Sequence, residues 1–242
     1  MKSAPLDYRF RYIIHGLLYF CGFAFYWLPS THESTWLVLT PQLERIGLSF
    51  TGATITLLVL AIVLSGIGAF LRTWGAAYLG ANIVESRDMH GSSVLADGPY
   101  RRSRNPLYLG TFLHTFALAL IMSPYGALFT LIAIGLFQIR LIFVEEPFLA
   151  ARLGQPYLDY CKRVPRLLPS LTPRIPPSRA HPRWLQAVLG ETYMIGVPLC
   201  FAIFGWRYNA FLLTKCVIIC FGVSIVVRAL AVKPMQDNAQ PS

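Results

Sequence analysis

Long apolar blocks alternate with short polar stretches along this chain, and the alternation predicts a set of membrane helices. The first block, about Tyr12–Leu28, follows Lys2, Arg9 and Arg11. It is long and aromatic, and no small-x-small cleavage site follows it, so it reads as a retained helix. Residues 30–50 are polar, with Pro29 and Pro41 as breakers, and predict a loop. Phe50–Phe70 predicts the second helix. In it Ala61, Ser65, Ala69 and Thr73 recur every four residues, a strip of small side chains where another helix can approach closely. Arg72–Asp97 is too polar to span a bilayer and predicts a helical extension followed by a cytosolic loop.

The third helix is expected at about Leu107–Met122 and, after the Ser123-Pro124 turn, the fourth at Tyr125–Val144. Glu145–Val164 predicts an amphipathic helix or a pair of short ones. Pro147 fits a first helical turn, and Phe148, Leu149, Leu153, Tyr157, Tyr160 and Val164 form an apolar stripe. The prolines from Pro165 to Pro182 exclude regular helix and predict an extended linker along the lipid headgroups. Two further apolar segments, about Trp184–Phe204 and Ala210–Val232, close the chain as a hairpin. Glu191 and Arg228 lie near its inner ends and are expected to pair, as intramembrane charges do. His15 and His114 fall inside apolar helices and read as packing or locally hydrogen-bonded residues.

Composition agrees with this pattern. Of 242 residues, 55% are hydrophobic and 13% charged, against roughly 25% charged in soluble domains. The net charge of +10 reads as the topology signal of a membrane protein and as attraction to anionic lipids, with no nucleic-acid partner. Counted over six alternating spans, one side carries Lys2, Arg9, Arg11, Arg72, Arg87, Arg101, Arg102, Arg104, the basic residues of 152–183 and Lys233. The other carries Arg45, Arg207 and Lys215. That asymmetry places both termini in the cytosol. The five cysteines have no disulfide or metal spacing, and no metal site is expected.

The densest polar motif is Asp97–Gly110, Asp-Gly-Pro-Tyr-Arg-Arg-Ser-Arg-Asn-Pro-Leu-Tyr-Leu-Gly. Arg101, Arg102 and Arg104 at the mouth of a membrane helix predict an anion-seeking surface, with Tyr100 and Tyr108 as flat aromatic faces. The run resembles the Gly-x-Tyr-x-x-x-Arg-His-Pro-x-Tyr-x-Gly signature of the isoprenylcysteine carboxyl methyltransferase family, through Gly98, Tyr100, Arg104, Pro106, Tyr108 and Gly110. Asn105 stands where that signature has His. A second block is similar as well: Glu145-Glu146, Gly154, Tyr157, Tyr160, Arg163-Val164-Pro165 and Leu168-Pro169. Phospholipid N-methyltransferases are relatives of this family.

The resemblance implies an integral-membrane methyltransferase that takes its methyl group from S-adenosylmethionine and gives it to a lipophilic acceptor. The acceptor atom (carboxylate, thiol or lipid amine) stays open. It implies cofactor contacts at Glu85, Ser92, Ser93, Val94, Leu95, Tyr100, Asn105, Pro106, Leu107, Tyr108 and Glu145. It implies substrate or catalytic roles for Arg104, Arg140, Glu145 and Arg163. The expected fold is an all-α polytopic bundle of about six transmembrane helices with a cytosolic cofactor pocket. The expected divisions are 1–71 (two transmembrane helices), 72–169 (methyltransferase core), 170–186 (Pro/Arg-rich linker) and 187–242 (C-terminal hairpin and tail). Expected partners are the lipophilic acceptor and membrane lipids, with a homo-oligomer contact through the hairpin also open. A sterol-reductase-type enzyme using a reduced nicotinamide dinucleotide shares the architecture and similar Arg-x-Pro-x-Tyr and Val-Pro runs. The Glu145-Glu146 pair and the order of the blocks favour methyl transfer. A non-enzymatic scaffold would not need Glu85, Arg104 and Glu145 together.

Overall fold

A computed structural model of the chain describes residues 6–28, 32–79, 97–178 and 180–232. Among these, all regular structure is helical. The helices are α1 (Leu6–Arg9), α2 (Arg11–Ala24), α3 (Thr35–Arg45), α4 (Phe50–Leu79), α5 (Pro106–Leu120), α6 (Pro124–Leu153), α7 (Gln155–Arg163), α8 (Trp184–Gly190), α9 (Thr192–Phe204) and α10 (Ala210–Val227). The all-α expectation holds. Among the described residues, Phe50–Leu79, Pro124–Leu153 and Ala210–Val232 are each long and apolar enough to cross a membrane. Trp184–Gly190 and Thr192–Arg207 together make a fourth candidate, bent by 66°. The apolar runs of α2 and α5 form helices of 14 and 15 residues, about 21–23 Å at 1.5 Å per residue, short of a hydrocarbon core of about 30 Å.

Small residues set the closest crossings. Ala61, Ser65, Ala69 and Thr73 are all buried, as the four-residue strip predicts, and α4 lies along α5. A Cβ at Gly110 would sit 2.7 Å from the Gly68 carbonyl oxygen and 2.8 Å from Arg72 Cγ, so only hydrogen fits there. Likewise α2 meets α6 at Gly22 and Gly126, where a Cβ at Gly126 would lie 2.1 Å from the Gly22 oxygen.

Three expectations are corrected. The polar stretch 30–50 holds α3, because Ser34 caps it by accepting from the Leu37 amide at 3.3 Å. Pro41 is tolerated inside that helix. At its start, the Thr35 amide and hydroxyl both donate to the Met122 carbonyl (2.7 and 2.9 Å), and the Tyr26 hydroxyl donates to that of Ile121 at 2.8 Å. The carbonyls that α5 leaves unmatched at its C-terminal end are thus satisfied. Second, α6 runs unbroken through Pro147 to Leu153, so Pro147 is an interior residue; Gly154, at φ +63°, makes the break before α7. Tyr157, Tyr160 and Val164 then cluster against Leu149 and Leu153, the predicted stripe.

Third, Glu191 does not pair with Arg228. Glu191 falls at the break between α8 and α9 and accepts a two-pronged contact from Arg72 of α4, Nε to Oε2 and Nη2 to Oε1, both 2.8 Å. Arg228 donates instead to the Gly190 carbonyl (3.0 and 2.5 Å), which the same break leaves without a helical partner.

Candidate functional site

A cavity of about 1290 Å³ opens between α2, α4, α5, α9 and α10. Small-molecule pockets are typically about 300–1,000 Å³, so it has room for more than one ligand. One end is polar, with Tyr8, Arg11, Arg72, Tyr108, Glu145, Glu191 and Arg228. The walls leading away from it are mostly apolar, from Phe20 and Phe23 of α2 to Ile218 and Phe221 of α10.

Glu145 and Glu146 divide the motif between two environments. Successive helix residues point about 100° apart. Glu145 therefore faces the cavity, where it accepts from the Tyr108 hydroxyl at 2.9 Å. Glu146 faces the other way and is buried. Its Oε1 accepts from Asn105 Nδ2 at 3.1 Å. Its Oε2 accepts from Arg166 Nε at 3.0 Å and lies 3.3 Å from Arg104 Nη1.

The expected anion-seeking surface is corrected by the segment after α7. Residues 165–178 and 180–183 are a strap that runs antiparallel along the first motif block. The Arg104 amide donates to Pro165 (2.9 Å), the Ser103 hydroxyl to Leu167 (2.8 Å), the Arg174 amide to Arg101 (2.8 Å) and Arg101 Nε to Ile175 (2.8 Å). Arg102 Nη1 donates to the Ser170 and Leu171 carbonyls. Proline supplies no amide hydrogen, and these strap carbonyls are met by donors of the motif block: guanidiniums, the Ser103 hydroxyl and the Arg104 amide. The motif arginines thereby hold a strap, and the strap lies on the motif. Asp97 fastens its far end, accepting from the Ser178 amide (2.8 Å), the Ser178 hydroxyl and the Ala180 amide (2.9 Å). Burial pushes the Asp97 carboxyl up, but these hydrogen bonds outweigh it and hold the group below the ordinary carboxylate range.

Of the residues singled out in the sequence, Leu107, Tyr108 and Glu145 line the cavity. Tyr100, Arg104, Asn105 and Pro106 sit behind it. Tyr100 is buried with its hydroxyl near Gly75, and its carbonyl accepts from the Tyr160 hydroxyl at 2.9 Å. Burial, with the Glu145 charge adding to it, pushes the Tyr100 hydroxyl well above its ordinary pKa, so it acts only as a neutral donor. That hydroxyl and Arg104 Nε are buried with no hydrogen-bond partner among the described residues. Asn105 points at Glu146 and at the Arg166 carbonyl (2.9 Å). Arg140 and Arg163 are exposed on α6 and α7, away from the cavity. Glu85, Ser92, Ser93, Val94 and Leu95 lie outside the described residues.

Sequence reasoning missed Arg11, Arg72 and Glu191 as cavity residues and Glu146 as the centre of the strap contacts. Arg72 carried a usable signal: it ends the longest apolar run, where an unpaired cation would be costly.

Residues 56–155 match the family model of the phospholipid methyltransferases. That segment spans most of α4, with α5 and α6, and has the first motif block at its centre. The chain is also 29% identical, over 108 residues, to a protein of Schizosaccharomyces pombe named protein-S-isoprenylcysteine O-methyltransferase. The alignment covers 43% of this chain and 45% of that relative, so the chain spans less than half the length of the curated protein it matches. No solved structure matches the chain. The match contains the first motif block and Glu145, Glu146 and Gly154 of the second, and the resemblance to these methyltransferases is borne out.

Proposed function

We propose that the chain is an integral-membrane methyltransferase that moves a methyl group from S-adenosylmethionine to a lipophilic acceptor. The observation that carries this reading is the hydrogen-bonded Tyr108–Glu145 pair at the polar end of a large, apolar-walled cavity, inside the segment that matches the methyltransferase family.

The residues present fit such a donor. It carries an ammonium and a sulfonium, a carboxylate and an adenosine. Glu145 offers an acid facing the cavity, and Tyr108 and Leu107 offer apolar surface beside it. The donor supplies an activated methyl group. The protein's part is placement: Glu145 orients a cationic group, Tyr108 fixes the carboxylate of Glu145, and the apolar walls exclude water from the line of attack. A carboxylate set directly on the sulfonium would slow the step, because that charge is lost in the transition state. Glu145 is therefore assigned to the ammonium or ribose end. The basic residues Arg101, Arg102, Arg104, Lys162, Arg163 and Arg166 gather at the motif end of the bundle, and we place that end, with its donor site, in the cytosol. The acceptor enters from the bilayer.

The test is thermal stabilisation of the detergent-purified chain by S-adenosylhomocysteine and by NADPH, with Glu145→Ala as the comparison. A ligand that binds the folded state must raise its stability. Stabilisation by S-adenosylhomocysteine that disappears in Glu145→Ala is the expected result. Stabilisation by NADPH alone would replace methyl transfer with a sterol-reductase-like reading.

A further inference from the structure

One residue of α5 is not explained by helix packing. His114 is 1% exposed, and neither ring nitrogen has a hydrogen-bond partner among the described residues. A buried polar group left in that state costs the fold its desolvation penalty, and native interiors keep few of them. The hydroxyls beside it on the helix are engaged already. Thr111 donates to the Leu107 carbonyl at 3.1 Å and accepts from Arg72 at 2.8 Å. Thr115 donates to the Thr111 carbonyl at 2.9 Å and bonds the Tyr19 hydroxyl at 2.7 Å. Tyr193 meets the imidazole edge-on, ring centroids 5.5 Å apart, as a packing neighbour.

The ring is also held where it is. A Cβ at Gly68 would lie 2.5 Å from the Gly110 oxygen and 3.1 Å from the His114 amide nitrogen. With α4 that close, α5 cannot turn to bring the imidazole to another partner. The imidazole lines the cavity. It sits six residues beyond Tyr108 on the same helix, about 9 Å further along the axis, on the membrane side of the Tyr108–Glu145 end.

We propose that His114 is the polar anchor for the acceptor, and that it recognises an uncharged hydrogen-bonding head on a long-chain lipid. The proposal rests on the methyltransferase reading, which assigns the Tyr108–Glu145 end to the donor and leaves this depth to the acceptor. A neutral imidazole offers one donor and one acceptor, which suits a hydroxyl, amine or amide. An anionic head would bring an unmatched charge to this depth, because the nearby Arg72 guanidinium is already matched by Glu191 at 2.8 Å. Past His114 the walls are Phe20, Phe23, Ile218 and Phe221, which suit a hydrocarbon chain.

The experiment titrates the 242-residue chain in detergent micelles with hexadecanol, palmitate and hexadecane at pH 8, reading thermal stabilisation. Wild type and His114→Gln should respond to hexadecanol, and His114→Phe should need about tenfold more, the loss expected for one buried hydrogen bond. The palmitate response should not depend on residue 114. Equal hexadecanol responses in wild type and His114→Phe would overturn the proposal, as would no response of wild type to hexadecanol. If His114→Phe does not fold, wild type alone decides: hexadecane acting as well as hexadecanol removes any role for the head. S-adenosylhomocysteine is added in a separate arm. Failure there sinks the donor assignment, while the hexadecanol titration still judges His114.

Discussion

Arg72 and Glu191 lie 119 residues apart in sequence and face each other in a two-pronged contact, both pairs of atoms at 2.8 Å, with side-chain exposures of 14% and 2%. The contact ties the family-matched helix α4 to the break between α8 and α9, outside the matched segment. Removing one partner leaves the other buried and unmatched, at a cost of about 3–5 kcal/mol. Glu191→Gln and Arg72→Gln should each lower the denaturation midpoint in detergent by a corresponding amount. The double variant Arg72→Met/Glu191→Met should be more stable than either single one, because no charge is stranded. Arg228→Gln, which leaves the Arg72–Glu191 contact in place, should cost less than Glu191→Gln. If the two cost the same, the assignment of Glu191 to Arg72 is wrong.

The strap gives a pH prediction. The folded-state carboxyl of Asp97 is depressed below its ordinary value by bonds from Ser178 and Ala180, against the upward push of burial. Such a group stabilises the fold above its unfolded value of about 3.9, and that contribution is lost as the pH falls through the lower folded value. Asp97→Asn should therefore be less stable than wild type at pH 7. The gap between them should close as the pH is taken below about 4. A gap that stays constant from pH 7 to pH 3 would show that the carboxylate's charge is not what holds the strap.

How these contacts were hidden from sequence reasoning is a matter of range. The helices came from local periodicity, and Gly98, Gly110 and Gly154 came from motif position. Each has a steric cause in the fold: a positive φ at Gly98 and Gly154, and the 2.7 Å approach to Gly68 at Gly110. Glu191 and Arg228 sit at similar depth, which made them natural partners. The bend at residue 191 turns the acid toward α4 instead, and no local pattern announces that. The strap was invisible for a related reason. Its bonds run from guanidinium, hydroxyl and amide donors to carbonyls and to the Asp97 carboxylate about 60–80 residues apart, and backbone groups leave no trace in side-chain patterns. Of the two acids, Glu145 lines the cavity, while Glu146 showed its place only once Arg104, Asn105 and Arg166 surrounded it.

Gly110 tests the crossing of α4 and α5. An added methyl group would overlap the backbone of α4, and the neighbouring atoms are the Gly68 oxygen and Arg72 Cγ rather than a flexible tip. Overpacking of this kind costs about 1–3 kcal/mol. Gly110→Ala should be destabilised by that amount in a detergent melt. It should also displace Arg72, so its cost should overlap that of Glu191→Gln in the double variant. Strict additivity of the two would argue against that link.

Asn105 separates a structural from a binding role for the family's signature position. Its amide donates to Glu146 at 3.1 Å and to the Arg166 carbonyl at 2.9 Å, and it does not line the cavity. Asn105→Ala removes both bonds. Glu146 keeps its two arginines, so the main loss is the Arg166 carbonyl's partner and one bond to a carboxylate, about 1–2 kcal/mol in total. The midpoint should fall accordingly, and the strap should become more open to protease near residue 166. Affinity for S-adenosylhomocysteine should change by less than about twofold, because a side chain behind the cavity makes no contact with a ligand inside it. Tighter or much weaker cofactor binding with an unchanged midpoint would move Asn105 from the strap into the binding site.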